Sequence, residues 1–168
     1  MFTVQFMTEE QTKRLDTVLT TLRSRSEAEA VFLTDRGGNI IAENKAQTYS
    51  KEDNIIALAA GSFFATRELA RLLGEPEFKC VFHQGTQTSV YMQSTTTDLL
   101  ILIVYGKESN PGLVRLYANE SCGAIDKQFK QDASEAAAQA PPPAIKFEMD
   151  TTKQLFNIKP ASPTFGGP

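Results

Sequence analysis

The hydrophobic and polar positions of this chain predict eight secondary-structure elements in the order α-β-β-α-β-β-β-α. Apolar residues recur every three or four positions in the predicted helices, and they alternate or cluster in the predicted strands. The predicted elements are Thr8–Arg25, Ala30–Asp35, Asn39–Glu43, Lys51–Leu73, Phe78–Gln84, Gln87–Gln93, Asp98–Tyr105 and Gly112–Ala133. This order indicates one α+β domain.

Capping and turn residues support these boundaries. Thr8 with glutamine three residues later is typical of a capping box, and Ser50 is predicted to cap the second helix. The segment Arg36–Asn39 contains two glycines that suit a tight hairpin turn. Gly74 is expected to end the second helix, and Pro111 is placed to open the last one.

The predicted second helix has little charge on either of two opposite sides. One side forms a stripe that we expect to face the core: Ile55, Leu58, Ala59, Ser62, Thr66, Leu69 and Leu73. The other side carries Ala57, Ala60, Gly61 and Phe64, and Ile56 and Phe63 lie on the flank between them. A second apolar side favours a docking surface. Burial in the chain's own core is the alternative.

Two strands differ in their expected position in the sheet. Asp98–Tyr105 is almost continuously apolar, which favours a central strand covered on both faces. Phe78–Gln84 alternates and includes Lys79 and His83, which suit an edge strand. In the last helix the residues expected to face inward are Leu113, Leu116, Tyr117, Ile125 and Phe129.

Composition narrows the class of protein. The 168 residues carry a net charge of -3, which argues against a general nucleic-acid binder. The longest apolar run, Leu99–Tyr105, is too short to span a membrane, and Met1–Glu10 lacks the features of a secretory signal. Cys80 and Cys122 are far apart and outside any metal-binding spacing, so we expect reduced thiols in a cytoplasmic protein.

The sequence offers little catalytic chemistry. It has one histidine, His83, and its only internal glycine pair joins two strands, whereas a phosphate loop joins a strand to a helix. We therefore expect no catalytic residues, no cofactor and no metal. A basic patch on the first helix consists of Lys13, Arg14, Arg23 and Arg25, and it is either a solvated face or a contact to an acidic partner.

The composition changes near residue 135, so we predict a domain over 1–135 and a tail over 136–168. Alanine and proline runs at Ala136–Ala144 are typical of a linker. Beyond it, Leu155, Phe156 and Ile158 form a small apolar cluster. This cluster is either a short docking helix or an incidental feature of a disordered tail.

Seven short segments occur in a characteristic order along the chain: Val31–Asp35, Asn39–Ala42, Leu58–Gly61, Leu69–Glu75, Phe82–Gly85, Tyr91-Met92 and Gly112–Leu116. Together they resemble the Roadblock/dynein-light-chain family, and within it the MglB-like regulators of bacterial Ras-like GTPases. The resemblance covers about Met7–Phe129.

The resemblance implies a Roadblock-type α/β/α sandwich and a homodimer. The five-stranded antiparallel sheet would carry the second helix on one face and the other two helices on the opposite face. Subunits would pair through second helices and edge strands, with an interface expected at Ile56, Phe63, Lys79, Val81 and His83. The residues expected to bind a small GTPase of the MglA type are Ala57, Ala60, Phe64, Arg67, Glu68 and Arg71.

The resemblance also implies a function without catalysis by this chain. The dimer would stimulate GTP hydrolysis by stabilising the active switch conformation of the GTPase, without an arginine finger. The associated biology would be cytoplasmic, at a cell pole, in cell polarity and gliding motility. Phe64 and Glu68 stand where relatives usually have small residues. A Roadblock scaffold that recruits a partner without stimulating hydrolysis is the alternative.

Overall fold

The structure is a computed structural model that describes residues 7–139. The helices and strands follow the predicted order: α1 Glu9–Ser26, β1 Ala30–Thr34, β2 Ile40–Lys45, α2 Glu52–Leu73, β3 Cys80–Gln84, β4 Thr88–Ser94, β5 Leu100–Gly106 and α3 Pro111–Gln139. Helix α3 continues past the predicted domain boundary at residue 135. The expected tail cluster Leu155, Phe156 and Ile158 lies outside the described residues.

The five strands form one antiparallel sheet in the order β2-β1-β5-β4-β3. Strand β5 lies in the centre, and its residues Leu100 to Tyr105 are all buried. Strand β3 lies at an edge, with Phe82 43% exposed. Both predicted strand positions are therefore confirmed.

Alternation along the strands builds a core on each side of the sheet. Phe32 pairs with Leu102, and both contribute to the core under α2. Val31 pairs with Ile103, and both contribute to the core shared with α1 and α3. Because successive strand residues point to opposite faces, a five-stranded sheet with helices on both sides forms the three layers that the resemblance implies.

Most of the predicted helix ends are confirmed. Thr8 accepts a hydrogen bond from the backbone of Gln11, whose side chain accepts one from the backbone of Thr8 in return. Gly74 ends α2 in the left-handed conformation with φ of 77°. The predicted cap at Ser50 is wrong, because Lys51 takes the N-cap position with φ of 61° and α2 has no side-chain cap there.

The inward face of α3 agrees with the prediction in part. Ile125 is fully buried, and Tyr117 and Phe129 pack against the core, as predicted. Leu113 and Leu116 are instead 39% and 49% exposed, and Val114 and Ala118 are fully buried in their place. The helix packs against both α1 and the sheet, so its buried stripe follows the residues that face the groove between them. Within residues 7–139, none of the helices combines the length and apolar character needed to cross a membrane.

Candidate functional site

The face of α2 that contacts the sheet is not the one that the sequence predicted. Ile56, Ala60, Phe63 and Ala70 are at most 1% exposed and form the core under the helix. Four members of the stripe expected to face the core are exposed instead, whereas Ala59, Ser62 and Thr66 are half-buried and Ala59 packs against that core. The four exposed members, joined by Leu72, form an exposed apolar stripe that consists of Ile55, Leu58, Leu69, Leu72 and Leu73, between 38% and 74% exposed.

A close approach by the β1–β2 turn fixes which side of α2 faces inward. Gly38 has φ of 81°, and a Cβ atom built there would lie 3.0 Å from the Cα of Ala57 and 3.5 Å from the Cβ of Ala60. Only small residues on α2 allow this contact. The side that carries Ala57 and Ala60 is therefore turned toward the hairpin, and the larger leucines are turned away.

The residues expected at a dimer interface separate into two groups. Ile56 and Phe63 are buried within the chain's own core, so that part of the expectation is wrong: their side chains present no surface to a second copy. Val81 pairs with Met92 and packs against the α2-side core, which places it on the α2 face of the edge strand. Lys79 and His83 are exposed and lie on the same edge as Val81.

The residues expected to bind a partner are also divided by the fold. The side chain of Ala60 is 1% exposed and therefore cannot contact a partner protein, whereas Ala57 is exposed. Phe64 is half-buried and meets the ring of Phe63 edge-on, with ring centroids 5.5 Å apart. The pair formed by Glu68 and Arg71 is exposed, with a distance of 2.9 Å from Arg71 Nε to Glu68 Oε1.

Two arginines from different elements flank Phe64. The guanidinium carbons of Arg36, in the β1–β2 turn, and Arg67, in α2, each lie 5.8 Å from the centroid of its ring. Both arginines bind Oδ1 of Asp98, at 2.6 Å from Arg36 Nη2 and 3.1 Å from Arg67 Nη1. We call Arg36, Phe64, Arg67 and Asp98 the arginine cluster.

The β4–β5 turn that carries Asp98 is held by α3. The buried carboxylate of Asp126 accepts hydrogen bonds from the backbone of Thr96 at 3.0 Å and of Thr97 at 3.2 Å. Asp98 itself has φ of 62°, a conformation that aspartate tolerates better than most residues. Sequence reasoning missed Arg36, Asp98 and Asp126, because nothing in their spacing indicates that three distant segments meet.

The arginines of this surface lower the pKa values of the carboxylates that they contact. The hydrogen bond from Arg36 is the main cause that holds the pKa of Asp98 below its ordinary value, and Arg67 adds to it. The pKa of Glu68 is lowered in the same way by Arg71. These carboxylates therefore stay charged at neutral pH and keep their arginines oriented.

The basic patch predicted on α1 is engaged within the chain. Lys13 pairs with Glu9 at 2.7 Å, and Arg14 pairs with Glu10. Two further arginines reach other elements: Arg23 donates to Asn44, and Arg25 pairs with Glu120 at 3.3 Å while it lies over the ring of Tyr117. All four side chains of this patch thus have an intramolecular partner, and three of those partners are carboxylates.

Both cysteines are free thiols, and they occupy different environments. Cys80 is half-buried on β3, and Cys122 is buried on α3. Burial, with a smaller contribution from Asp126, raises the pKa of the Cys122 thiol to about 12. Among the described residues there is no group of three or more histidine, cysteine, aspartate or glutamate side chains that could hold a metal ion.

Comparison with known proteins identifies the family. The sequence profile of the Roadblock/LC7 domain matches residues 14–105, which run from within α1 to the next-to-last residue of β5. The chain belongs to the Roadblock/LC7 family. The matched region includes α2, the edge strand β3 and all four residues of the arginine cluster.

Solved structures place this Roadblock protein near MglB. Myxococcus xanthus MglB is 28% identical, with a TM-score of 0.69 over 75% of this chain and 95% of that one. The gliding protein MglB from Thermus thermophilus is 26% identical, with a TM-score of 0.70 over 74% and 95% of the two chains. An MglB with a tetrameric arrangement is 25% identical, with a TM-score of 0.70 over 74% and 94%. The chain is thus an MglB-like member of the Roadblock/LC7 family.

Proposed function

We propose that this chain is a homodimeric, non-catalytic regulator of a Ras-like small GTPase of the MglA type, and that it stimulates GTP hydrolysis. The observation that carries the proposal is the similarity to MglB structures over 94–95% of their chains. The Thermus relative is a gliding protein by name, and we extend that role in motility and polarity to this chain as part of the proposal.

The exposed apolar stripe of α2 supports the dimer. Leu58, Leu72 and Leu73 are 74%, 69% and 65% exposed, which is unusual for large apolar residues that line one side of a helix on the surface of a monomer. Within residues 7–139, strand β3 is paired on one side only, with β4, so its outer edge offers backbone groups to another strand. In a dimer with a two-fold axis, the apolar stripe of α2 would pack against the same stripe of the second chain, and β3 would pair with the second chain's β3. Both exposed features would then be covered.

The arginine cluster supports a separate GTPase-binding surface. Leu58 and Phe64 are six positions apart in α2, which separates them by about 120° around the helix axis. The dimer surface and the Phe64 surface therefore lie on different sides of the same helix. A half-buried aromatic ring between arginines has the composition of a binding hot spot.

The arginines of α2 support a mechanism without an arginine finger. Arg67 is bound to Asp98, and Arg71 is bound to Glu68. A finger must reach the phosphates of the GTPase, which would require these pairs to break. We propose instead that α2 stabilises the switch conformation in which the GTPase uses its own catalytic groups.

The test is GTP turnover by the GTPase of the same organism, measured with rising concentrations of this chain. Saturable stimulation by the wild-type chain, and its loss in Phe64→Asp, would support the proposal. Leu116→Asp on the exposed side of α3 is the matched control and should stimulate like the wild type. Saturable binding with unchanged turnover would favour the scaffold alternative. Absence of binding would refute the proposed regulation of this GTPase and would leave only a scaffold for another partner.

A further inference from the structure

We propose that the arginine cluster is a docking site for an acidic protein segment that carries an apolar side chain, and that Asp98 is an internal competitor for that segment. The inference deepens the proposed function and rests on it, because the expected source of the segment is the partner GTPase. It adds Arg36, from the β1–β2 turn, to a surface otherwise formed by α2.

The geometry of the guanidinium groups leaves binding capacity unused. Arg36 contacts Asp98 through Nη2, and Arg67 contacts it through Nη1, both at the same carboxylate oxygen. Each guanidinium has five N–H donors in a planar fork that suits a carboxylate in bidentate geometry. A second carboxylate can therefore be bound by the donors of Arg36 that Asp98 does not use, whereas on Arg67 it would share Nη2 with Glu77, whose carboxylate lies 3.9 Å away.

The position of Phe64 defines the apolar part of the ligand. Its ring is half-buried, with Phe63 packed edge-on against it and the guanidinium carbon of each arginine 5.8 Å from its centroid. The exposed part of this ring can cover an aliphatic or aromatic side chain of the partner. The guanidinium groups beside the ring suit a segment with an acidic residue next to the apolar one, provided that its carboxylate takes over contacts that Asp98 makes in the free chain.

The local charge balance explains why Asp98 competes. Asp98 is half-exposed, and Glu77 lies 3.9 Å from Arg67 with 43% of its side chain exposed. Both carboxylates neutralise the arginines in the free chain. Because the β4–β5 turn is fixed by Asp126, Asp98 stays beside the arginines and must share them with any incoming carboxylate.

The competition predicts opposite effects for two substitutions. Arg36→Ala should weaken binding of the GTP-bound partner about tenfold, and the loss should shrink as salt is raised. Asp98→Asn keeps the side-chain shape and the tolerance for positive φ while it removes the competing charge. It should tighten binding about threefold, within the range of an exposed ion pair.

A matched control pair exists at another ion pair. Arg25 and Glu120 form an exposed pair between α1 and α3, with Arg25 stacked on an aromatic ring as Arg36 is. Arg25→Ala and Glu120→Gln should leave partner affinity unchanged in the same calorimetric titration. Thermal unfolding of all four variants verifies that each is folded at the temperature of the titration.

A peptide titration separates this inference from the proposed function. The probe is a synthetic peptide of alternating glutamate and leucine, with a lysine-leucine peptide as its control, and the readout is the NMR signals of the Phe64 ring and the Arg36 Nε–H. Acidic-peptide binding that Arg36→Ala abolishes would support the inference even if no GTPase binds. If Arg36→Ala leaves the affinity for the GTPase unchanged, or if Asp98→Asn lowers that affinity, the inference is overturned while the proposed function stands. Equal shifts with both peptides would also overturn it.

Discussion

Replacing Leu58 by serine should dissociate the proposed homodimer without unfolding the chain. Leu58 is 74% exposed, so the fold of one chain gains little from its side chain. Complete burial of a leucine contributes about 1.5–3 kcal/mol, so contact with a second copy would recover roughly 1–2 kcal/mol per chain. A two-fold axis counts this contribution twice, which gives about 2–4 kcal/mol per dimer.

That free energy corresponds to a dissociation constant about 30 to 1,000 times larger. Sedimentation equilibrium over a range of concentrations measures it directly for the wild type and Leu58→Ser. Leu116→Ser is the matched control, because Leu116 is an exposed helical leucine, 49% accessible, on α3. A wild-type chain that stays monomeric at micromolar concentration, or equal weakening by both substitutions, would refute the assignment of the apolar stripe to the dimer.

Four further outcomes are expected. Phe64→Asp should weaken GTPase binding by about 2 kcal/mol or more while sedimentation shows an intact dimer. Arg67→Ala and Arg71→Ala should weaken binding, yet saturating protein should restore most of the turnover, whereas loss of a true finger lowers the rate about 10³-fold even at saturation. Deleting Ala144–Pro168 should preserve folding and dimerisation but lower partner affinity, and unchanged affinity would make this segment dispensable. Because burial raises the pKa of Cys122 to about 12, its thiol should resist alkylation at pH 8 until the chain unfolds. The contribution of this neutral thiol to the free energy of unfolding should be complete below the ordinary thiol pKa and should decline as the pH rises above it.

The order of the elements was predictable because it depends on local sequence. Each signal that marks a helix end acts over a few residues of sequence. These signals are the cap formed by Thr8 and Gln11, the end of α2 at Gly74 and the start of α3 at Pro111. The central position of β5 also follows from its own composition, since only a strand covered on both faces is apolar throughout. The order of the short segments shared with the Roadblock family then indicated the fold.

The rotation of α2 could not be predicted from its sequence. Apolar residues lie on both sides of the helix, so periodicity alone does not distinguish the side that meets the sheet from the side left exposed. The structure resolves this through Gly38, whose approach requires Ala57 and Ala60 on the neighbouring side. As a result Ile56 and Phe63 belong to the core, and the leucines expected there are on the surface.

The sequence by itself determined which elements form, where most of them end and which family the chain belongs to, because those properties depend on short-range patterns. Only the tertiary structure decided what the arginine cluster contains. Arg36, Phe64 and Asp98 come from three separate segments, and Asp126 of a fourth holds the turn in place. Contacts between residues so distant in the chain arise from how layers pack, and no local spacing records them.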